Sequence, residues 1–417
     1  MNTVVKILLW ATYMVSLYFA IFWFLVLMDG GFKKTKKSKL KNYPDVSIVI
    51  PAYNEEKRIR LTLDSVLKLN YPKDRLEIIV INDGSADKTK EVVEGIISKN
   101  RDFGIRLISQ KNRGKGAALN NGLKKAKGEF FVCLDADSYV KEDALLKMLP
   151  EFDKEDIAAV LPLLKVRNPK SLWQKMQWLE YLVNMFYKEL MSRLNCVHVA
   201  PGPFSVYRKH ILEKIGGFDE NNLTEDLEIS LRLQSHNYCI KQIMDAEVFT
   251  IAPESFKQLY KQRNRWYKGS VYNALKYRSM LFNKKYGDFG IIQMPTIIVS
   301  GLIAIILVAS LIYYTLEPYV RGIYHMSFVN FDFYTFIRSF TLNFSLLDLN
   351  YMALMVAAVM LAISFTVLRK SHARTNEKMT RHGLFSLIAY IFMYFLVLGF
   401  IWIGIMFDLI SGKKQRW

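Results

Sequence analysis

Four stretches of the chain are apolar and free of charge over a bilayer's length: Ile7–Met28, Ile291–Leu316, Tyr351–Leu368 and Leu384–Phe407. Between the first two, the pattern changes. From residue 46 to 160, short β-branched runs alternate with helical stretches. Val46–Ile50, Glu77–Ile81, Ile105–Ser109 and Phe130–Leu134 read as strands, and Glu55–Leu69, Asp87–Lys99 and Lys115–Lys127 as helices. That alternation predicts an α/β unit, a parallel sheet with helices on both faces. Ligands of such sheets sit beyond the carboxyl ends of the strands. The unusual polar clusters fall at those ends: Tyr53-Asn54-Glu55, Asn82-Asp83-Gly84 and Asp135-Ala136-Asp137.

Pro169–Asn195 has a helical period instead. Leu172, Met176, Leu179, Val183, Phe186, Leu190 and Leu194 form one apolar face, with Gln174, Lys175, Glu180 and Lys188 off it. Two readings fit: a helix packed inside the domain, or one lying in the bilayer interface with Trp173 and Trp178 at headgroup level.

Charge sets the orientation. The net charge is +19, concentrated beside the apolar runs, which points to a lipid bilayer as the partner rather than nucleic acid. The first run is too long for a signal-peptide core and is read as a retained anchor. Lys33, Lys34, Lys36, Lys37, Lys39 and Lys41 follow it and place the next domain in the cytoplasm. The slightly acidic loop Glu317–Asn350 suits the outside and the basic loop Arg369–Gly383 the inside. Four spans put Lys413, Lys414 and Arg416 outside, against the same rule, so the count stays at four or five. Cys133, Cys196 and Cys239 show no metal-ligand spacing and suggest a reducing compartment, with Cys133 a small core residue.

Each polar cluster has an ordinary structural reading and a chemical one. Asp135 and Asp137, two residues apart at a strand end, are solvated turn residues or oxygen ligands for Mg2+ or Mn2+. Asp83 belongs to a turn or accepts from a pyrimidine N–H, with Tyr53 a stacking face for the same base. Arg113-Gly114-Lys115-Gly116 opens a helix whose amides and Lys115 suit phosphate. Thr224-Glu225-Asp226 is either an acidic first helical turn or the source of a general base, Asp226. In Gln262-Arg263-Asn264-Arg265-Trp266, Gln262, Arg265 and Trp266 share a helix face. That face is a basic–aromatic belt, or a sugar platform (Trp266) beside a phosphate contact (Arg265).

Taken in order, PAYNEE (51–56), NDGS (82–85), a glycine–lysine stretch ending in Asn120, DAD (135–137), TED (224–226) and QRNRW (262–266) resemble one family. They are similar to the inverting family 2 glycosyltransferases of GT-A fold. The nearer resemblance is to the membrane-bound synthases of cellulose, chitin, hyaluronan or poly-N-acetylglucosamine, over roughly residues 40–290. The resemblance implies that Tyr53, Asn54, Glu55, Asp83, Lys115 and Asp135 bind a nucleotide-sugar donor, with Asp137 the metal ligand. Asp226 would be the base with Glu225 beside it, and Gln262, Arg265 and Trp266 would bind diphosphate and acceptor. Ala200-Pro201-Gly202-Pro203-Phe204-Ser205 falls where the family places an acceptor-lining loop. TED, rather than Gly-Asp-Asp or Gly-Glu-Asp, lies nearer the bacterial poly-N-acetylglucosamine synthases. One N-terminal span stands where many relatives have two.

The expected layout is an N-terminal transmembrane helix (1–30), a basic cytoplasmic linker (31–45) and a Rossmann-like GT-A catalytic domain (46–250). An interfacial helical QRNRW region (251–290) and a C-terminal membrane region of roughly three helices (291–412) follow. The expected function is extension of a β-linked polysaccharide at the cytoplasmic face from a UDP-sugar, such as UDP-N-acetylglucosamine or UDP-glucose, with the product passed outward between the spans. The alternative is addition of one sugar to a lipid-linked acceptor. The resemblance leaves room for a small membrane partner subunit. A carrier that only transports is disfavoured, because the four spans carry no charges.

Overall fold

The computed structural model describes residues 3–30, 40, 42–328 and 351–412. The lysines 33–39 and 41, the loop 329–350 and the basic tail from 413 lie outside the described residues. A 26-residue helix, α1 (Thr3–Met28), precedes the domain. The domain then alternates strand and helix: β1 (Val46–Ala52), α2 (Ile59–Val66), β2 (Leu76–Asp83), α3 (Thr89–Lys99), β3 (Gly104–Gln110), α4 (Lys115–Lys125) and β4 (Phe130–Cys133). β3, β2, β1 and β4 are neighbours in that order and parallel. The near-continuous apolar runs of β1, β2 and β4 follow from burial on both faces, while β3 at the sheet edge is mostly half-buried. Because β2 and β4 flank β1, the chain's direction of winding reverses there. A crevice opens between the carboxyl ends of β1 and β4.

Beyond β4 the sheet is mixed, which strand alternation in the sequence did not predict. β5 (Tyr139–Val140), β6 (Ile157–Val166), β7 (Ser205–Arg208) and β8 (Cys239–Thr250) complete eight strands in the order β3-β2-β1-β4-β7-β6-β8-β5. β7 runs antiparallel to both β4 and β6, with Phe131 opposite Tyr207, and so turns the sheet away from a simple parallel fold. Short helices α5 (Ala144–Met148) and α7 (Lys209–Lys214) and the longer α8 (Glu225–Ser235) cover its faces. Cys133 and Cys196 are buried and no described cysteine is paired.

The helix foreseen at Pro169–Asn195 is α6 (Leu172–Arg193), started by a Ser171–Gln174 capping box. The packing alternative is the one found, not the interfacial one. Trp178 is 2% exposed, with its ring 5.3 Å from His372 and 4.6 Å from His382. The sheet covers one side of α6, and the helices that follow the domain cover the other.

α9 (Phe256–Lys276) carries QRNRW and leads to α10 (Met294–Phe328), α11 (Tyr351–Arg374), α12 (Leu384–Ala389) and α13 (Phe395–Ile410). Among the described residues, four helical stretches are long and apolar enough to cross a membrane: Ile7–Met28, Phe289–Tyr324, Leu354–Arg374 and Leu384–Ile410. The long apolar helices are fused to the domain rather than tethered to it. Trp23 and Leu27 of α1 and Val367 and Leu368 of α11 share the main apolar core with β1 and β6. Tyr267 of α9 stacks on Trp402 of α13 at 4.5 Å and 8°. Lys268 and Asn264 reach Asp408 at 2.9 and 3.0 Å.

Arg263, 2% exposed, pairs with Glu180 of α6 and lies within hydrogen-bond reach (3.4 Å) of the Tyr394 hydroxyl. Tyr394 in turn donates to Glu180 at 2.8 Å. Removing one member of a buried ion pair strands the other charge. Glu180→Ala is therefore expected to destabilise the fold by about 3–5 kcal/mol, read as a lowered melting temperature in detergent, with Glu180→Gln losing less.

Candidate active site

The loops after β1 and β2 are stitched together by side chains capping backbone amides. Asn54 adopts φ +56°, a left-handed conformation that Asn tolerates. Its N–H donates to Ser85 Oγ at 3.0 Å, and its Oδ1 accepts from the Ala86 N–H at 2.9 Å. Glu55 N–H donates to Thr89 Oγ1 at 2.8 Å. Tyr53 beside them is 51% exposed, its ring open at the crevice.

Asp83 is buried and holds the next loop. Its Oδ1 accepts from Gln110 Nε2 at 2.7 Å and Arg113 N–H at 3.0 Å, and its Oδ2 from Gly114 N–H at 2.9 Å. That loop launches α4, so Asp83 fixes where Lys115 starts. One turn later, Asn120 clamps the turn before TED. Its Nδ2 donates to the Phe218 carbonyl at 2.8 Å, and its Oδ1 accepts from the Phe218 N–H at 2.8 Å.

Lys115 then joins two motifs that are 90 residues apart in sequence. Its ammonium lies 2.7 Å from Asp135 Oδ1 and 2.9 Å from Glu225 Oε1. Burial disfavours the charge, but Asp135 and Glu225 outweigh it and hold the lysine well above its ordinary pKa. Gly202 makes the close approach feasible. A Cβ there would sit 2.6 Å from Asp135 Oδ1 and against the Lys115 ammonium. The Ala200–Ser205 loop thus packs directly on the DAD–Lys115 pair.

Carboxylates crowd this point. Burial, then the Asp135 charge, raises the Asp137 pKa. Burial, then Asp137, lifts Glu55 to about 7. Burial also disfavours a charged Glu225, but Lys115 and Arg265 hold its pKa down. Burial, then Glu225, pushes Asp226 up against Lys115 and Arg265. QRNRW therefore acts electrostatically on TED. Within it, Gln262 Oε1 is buried without a hydrogen-bond partner among the described residues. The Arg263 guanidinium lies 4.2 Å from the centre of the Trp266 ring, which is itself partly buried.

Of the expected residues, Glu55, Lys115, Asp135, Asp137, Glu225, Asp226 and Arg265 come together. Glu55, Asp135 and Asp137 sense one another, Asp135 joins Glu225 through Lys115, and Glu225 and Asp226 sense Arg265. Asn120, Arg263 and Glu180 were not expected to hold this arrangement. Arg263 stands in the same QRNRW cluster, one residue off the predicted face, and its partner is 83 positions away. A wide cleft of about 730 Å³ lies at the opposite, amino-terminal ends of the strands, lined by Asp45, Arg75 and Arg106, and takes no part.

A mixed GT-A sheet with these clusters at its carboxyl edge is the architecture of a nucleotide-sugar-dependent glycosyltransferase. A family model described as glycosyl transferase family 2 matches residues 47–216. A poly-beta-1,6-N-acetyl-D-glucosamine synthase of Staphylococcus epidermidis is 30% identical over 340 residues, 77% of this chain and 82% of that protein. A protein of the same description from Staphylococcus aureus is 34% identical over 263 residues, 60% of this chain and 63% of that protein. The chain belongs to glycosyl transferase family 2. Among solved structures, a mannosyltransferase of Pyrobaculum calidifontis in complex with GDP-Man and Mn2+ superposes with TM-score 0.61. It is 17% identical and covers 99% of this chain and 98% of that one, a likeness of fold.

The raised Glu55 pKa has a consequence for stability. Between its ordinary 4.5 and about 7, the folded state binds more protons at Glu55 than the unfolded state. Stability therefore falls as pH rises through that window. Glu55→Gln is expected to melt higher than wild type at pH 8 and nearly level with it at pH 5. A variant melting lower at pH 8 would contradict the assignment.

Proposed function

We propose that this enzyme polymerises N-acetylglucosamine from its UDP donor into a β-linked chain at the cytoplasmic face and passes the product outward between its spans. The observation that supports it best is the Lys115 bridge, which places the DAD carboxylates beside Glu225 and Asp226, so donor and acceptor chemistry share one crevice. The relatives described as poly-beta-1,6-N-acetyl-D-glucosamine synthases favour the sugar and the polymer over a single transfer. Arg374 pairs with Glu189 at 2.9 Å and Glu377 with Lys165 at 3.0 Å. The loop between α11 and α12 therefore lies on the same side as the domain. That favours the cytoplasmic placement drawn from the lysines.

In this reading Tyr53 stacks on the base, and Asn54, Glu55 and Asp83 shape its pocket. Among the described residues no cluster of three or more side chains could hold a metal alone. Asp135 and Asp137 supply two carboxylates whose mutual repulsion a cation would relieve, which fits an ion sharing its shell with donor phosphate. Asp137, with Asp135, would hold Mg2+ or Mn2+, which supplies charge neutralisation at the leaving diphosphate. Arg265 and Lys115 add fixed positive charge there. Asp226, its pKa raised toward working pH, takes the proton from the acceptor hydroxyl. That oxygen bonds to the anomeric carbon as the C1–O bond to UDP breaks, and UDP leaves with the electron pair. One displacement inverts the anomeric centre. The orphaned Gln262 oxygen suits an acceptor hydroxyl, because an unpaired buried acceptor costs about 1–3 kcal/mol.

Purified enzyme in detergent with Mn2+ should release UDP from UDP-N-acetylglucosamine faster than from UDP-glucose, and make long chains resolved by mass. Asp226→Asn should lower turnover by about 10²–10⁴-fold while donor binding persists. Products lengthened by one sugar would overturn polymerisation in favour of transfer to a lipid carrier.

A further inference from the structure

A second cavity, of about 370 Å³, opens where the catalytic domain meets the loop between α11 and α12. The chemistry above leaves it unused. One wall comes from the sheet edge, through Tyr139 of β5, Lys165 of β6 and Phe249 of β8. The other comes from the loop, through Glu377, Arg381 and His382. The cavity floor includes Trp178, held edge-on to His382.

Its charge is unbalanced. Lys141, Lys165, Arg167 and Arg381 line it, and among the described residues Glu377 is its one lining carboxylate. Glu247 behind the wall takes part of the load. Lys165 lies 2.6 Å from Glu247 and 3.0 Å from Glu377, Lys141 turns to Glu247, and Arg381 to Glu377. Three cations thus share two carboxylates. Arg167 has no carboxylate partner among the described residues. Its guanidinium lies 5.1 Å from the centre of the Tyr139 ring. Cations in excess of their partners raise the local potential and favour an anion.

The geometry points to a binding site for a phosphate-bearing anion here, gripped by Arg167 from the domain and Arg381 from the loop. Guanidinium groups suit phosphate because their planar fork donates two parallel hydrogen bonds. The site lies at the foot of two candidate spans, α11 and the α12–α13 stretch, so an anionic phospholipid headgroup can reach it as readily as a soluble diphosphate. Occupancy would clamp the loop to the sheet edge two residues from Asp137, since Tyr139 is part of the wall. The proposal is independent of which sugar the enzyme transfers.

Two arms of one experiment separate the sources. In the first, the full chain in detergent is titrated with phosphatidylglycerol, with phosphatidylcholine as control, and retained lipid is counted by native mass spectrometry. In the second, the lipid-free protein is titrated with inorganic diphosphate by calorimetry. The difference between wild type and Arg167→Gln/Arg381→Gln isolates this cavity from the donor pocket. The expected result is a loss of about tenfold or more in apparent affinity for at least one probe in the double variant. Arg167→Lys/Arg381→Lys should lose less than the glutamine pair, since it keeps the charge without the fork. Exposed Arg381 alone, as Arg381→Gln, should give an intermediate loss, a reading that survives if the double variant misfolds. Preferential phosphatidylglycerol retention identifies the lipid source, and diphosphate binding the soluble one. Equal binding by wild type and the glutamine variants in both arms, or no binding by wild type in either, overturns the proposal.

Discussion

One ammonium group makes the centre of this enzyme tenable. Five carboxylates, Glu55, Asp135, Asp137, Glu225 and Asp226, are drawn to one crevice by the sheet's carboxyl edge. Buried like charges repel strongly when the local dielectric is low. Lys115 lies between two of them at hydrogen-bond distance and holds the DAD loop against the start of α8. The supporting parts follow from that need. Asp83 fixes the loop that launches Lys115, Asn120 fixes the turn before TED, and Gly202 leaves room for the join. The residual imbalance, visible in the raised Glu55 and Asp137, is what a cation and a diphosphate would resolve between them.

The same crevice is bound to the long apolar helices by a second buried polar lock. Arg263 reaches α6 through Glu180 and the final span through Tyr394, while Lys268 and Asn264 hold Asp408. QRNRW thus joins the sheet to the apolar helices: its Arg265 acts on Glu225 and Asp226, and its Arg263 reaches Tyr394.

Much of this could be read from the sequence, for identifiable reasons. β1, β2 and β4 were visible because parallel strands buried on both faces are continuous apolar runs, each ending in a polar cluster. The spans were visible from length alone. β6, β7 and β8 were not. Their pairing is long-range, and β6, buried along all ten residues, has no period to tell strand from helix. α6 showed its apolar face but not its second cover, because His372 and His382 approach Trp178 from nearly 200 residues away. The candidate site residues were named by their motifs. What joins them was hidden, since neither the three donors to Asp83 nor the Arg263–Glu180 pair leaves a local signal.

The central claim is that Lys115 couples the donor and base halves of the site. A double-mutant cycle tests it directly: Lys115→Met, Glu225→Gln and the pair, each scored by UDP release under saturating and limiting donor. Coupling through a shared ion pair predicts that the double variant loses far less than the product of the two single losses, by about 0.5–3 kcal/mol of interaction energy. Strictly additive losses would mean that the two motifs work apart, and the account would fail.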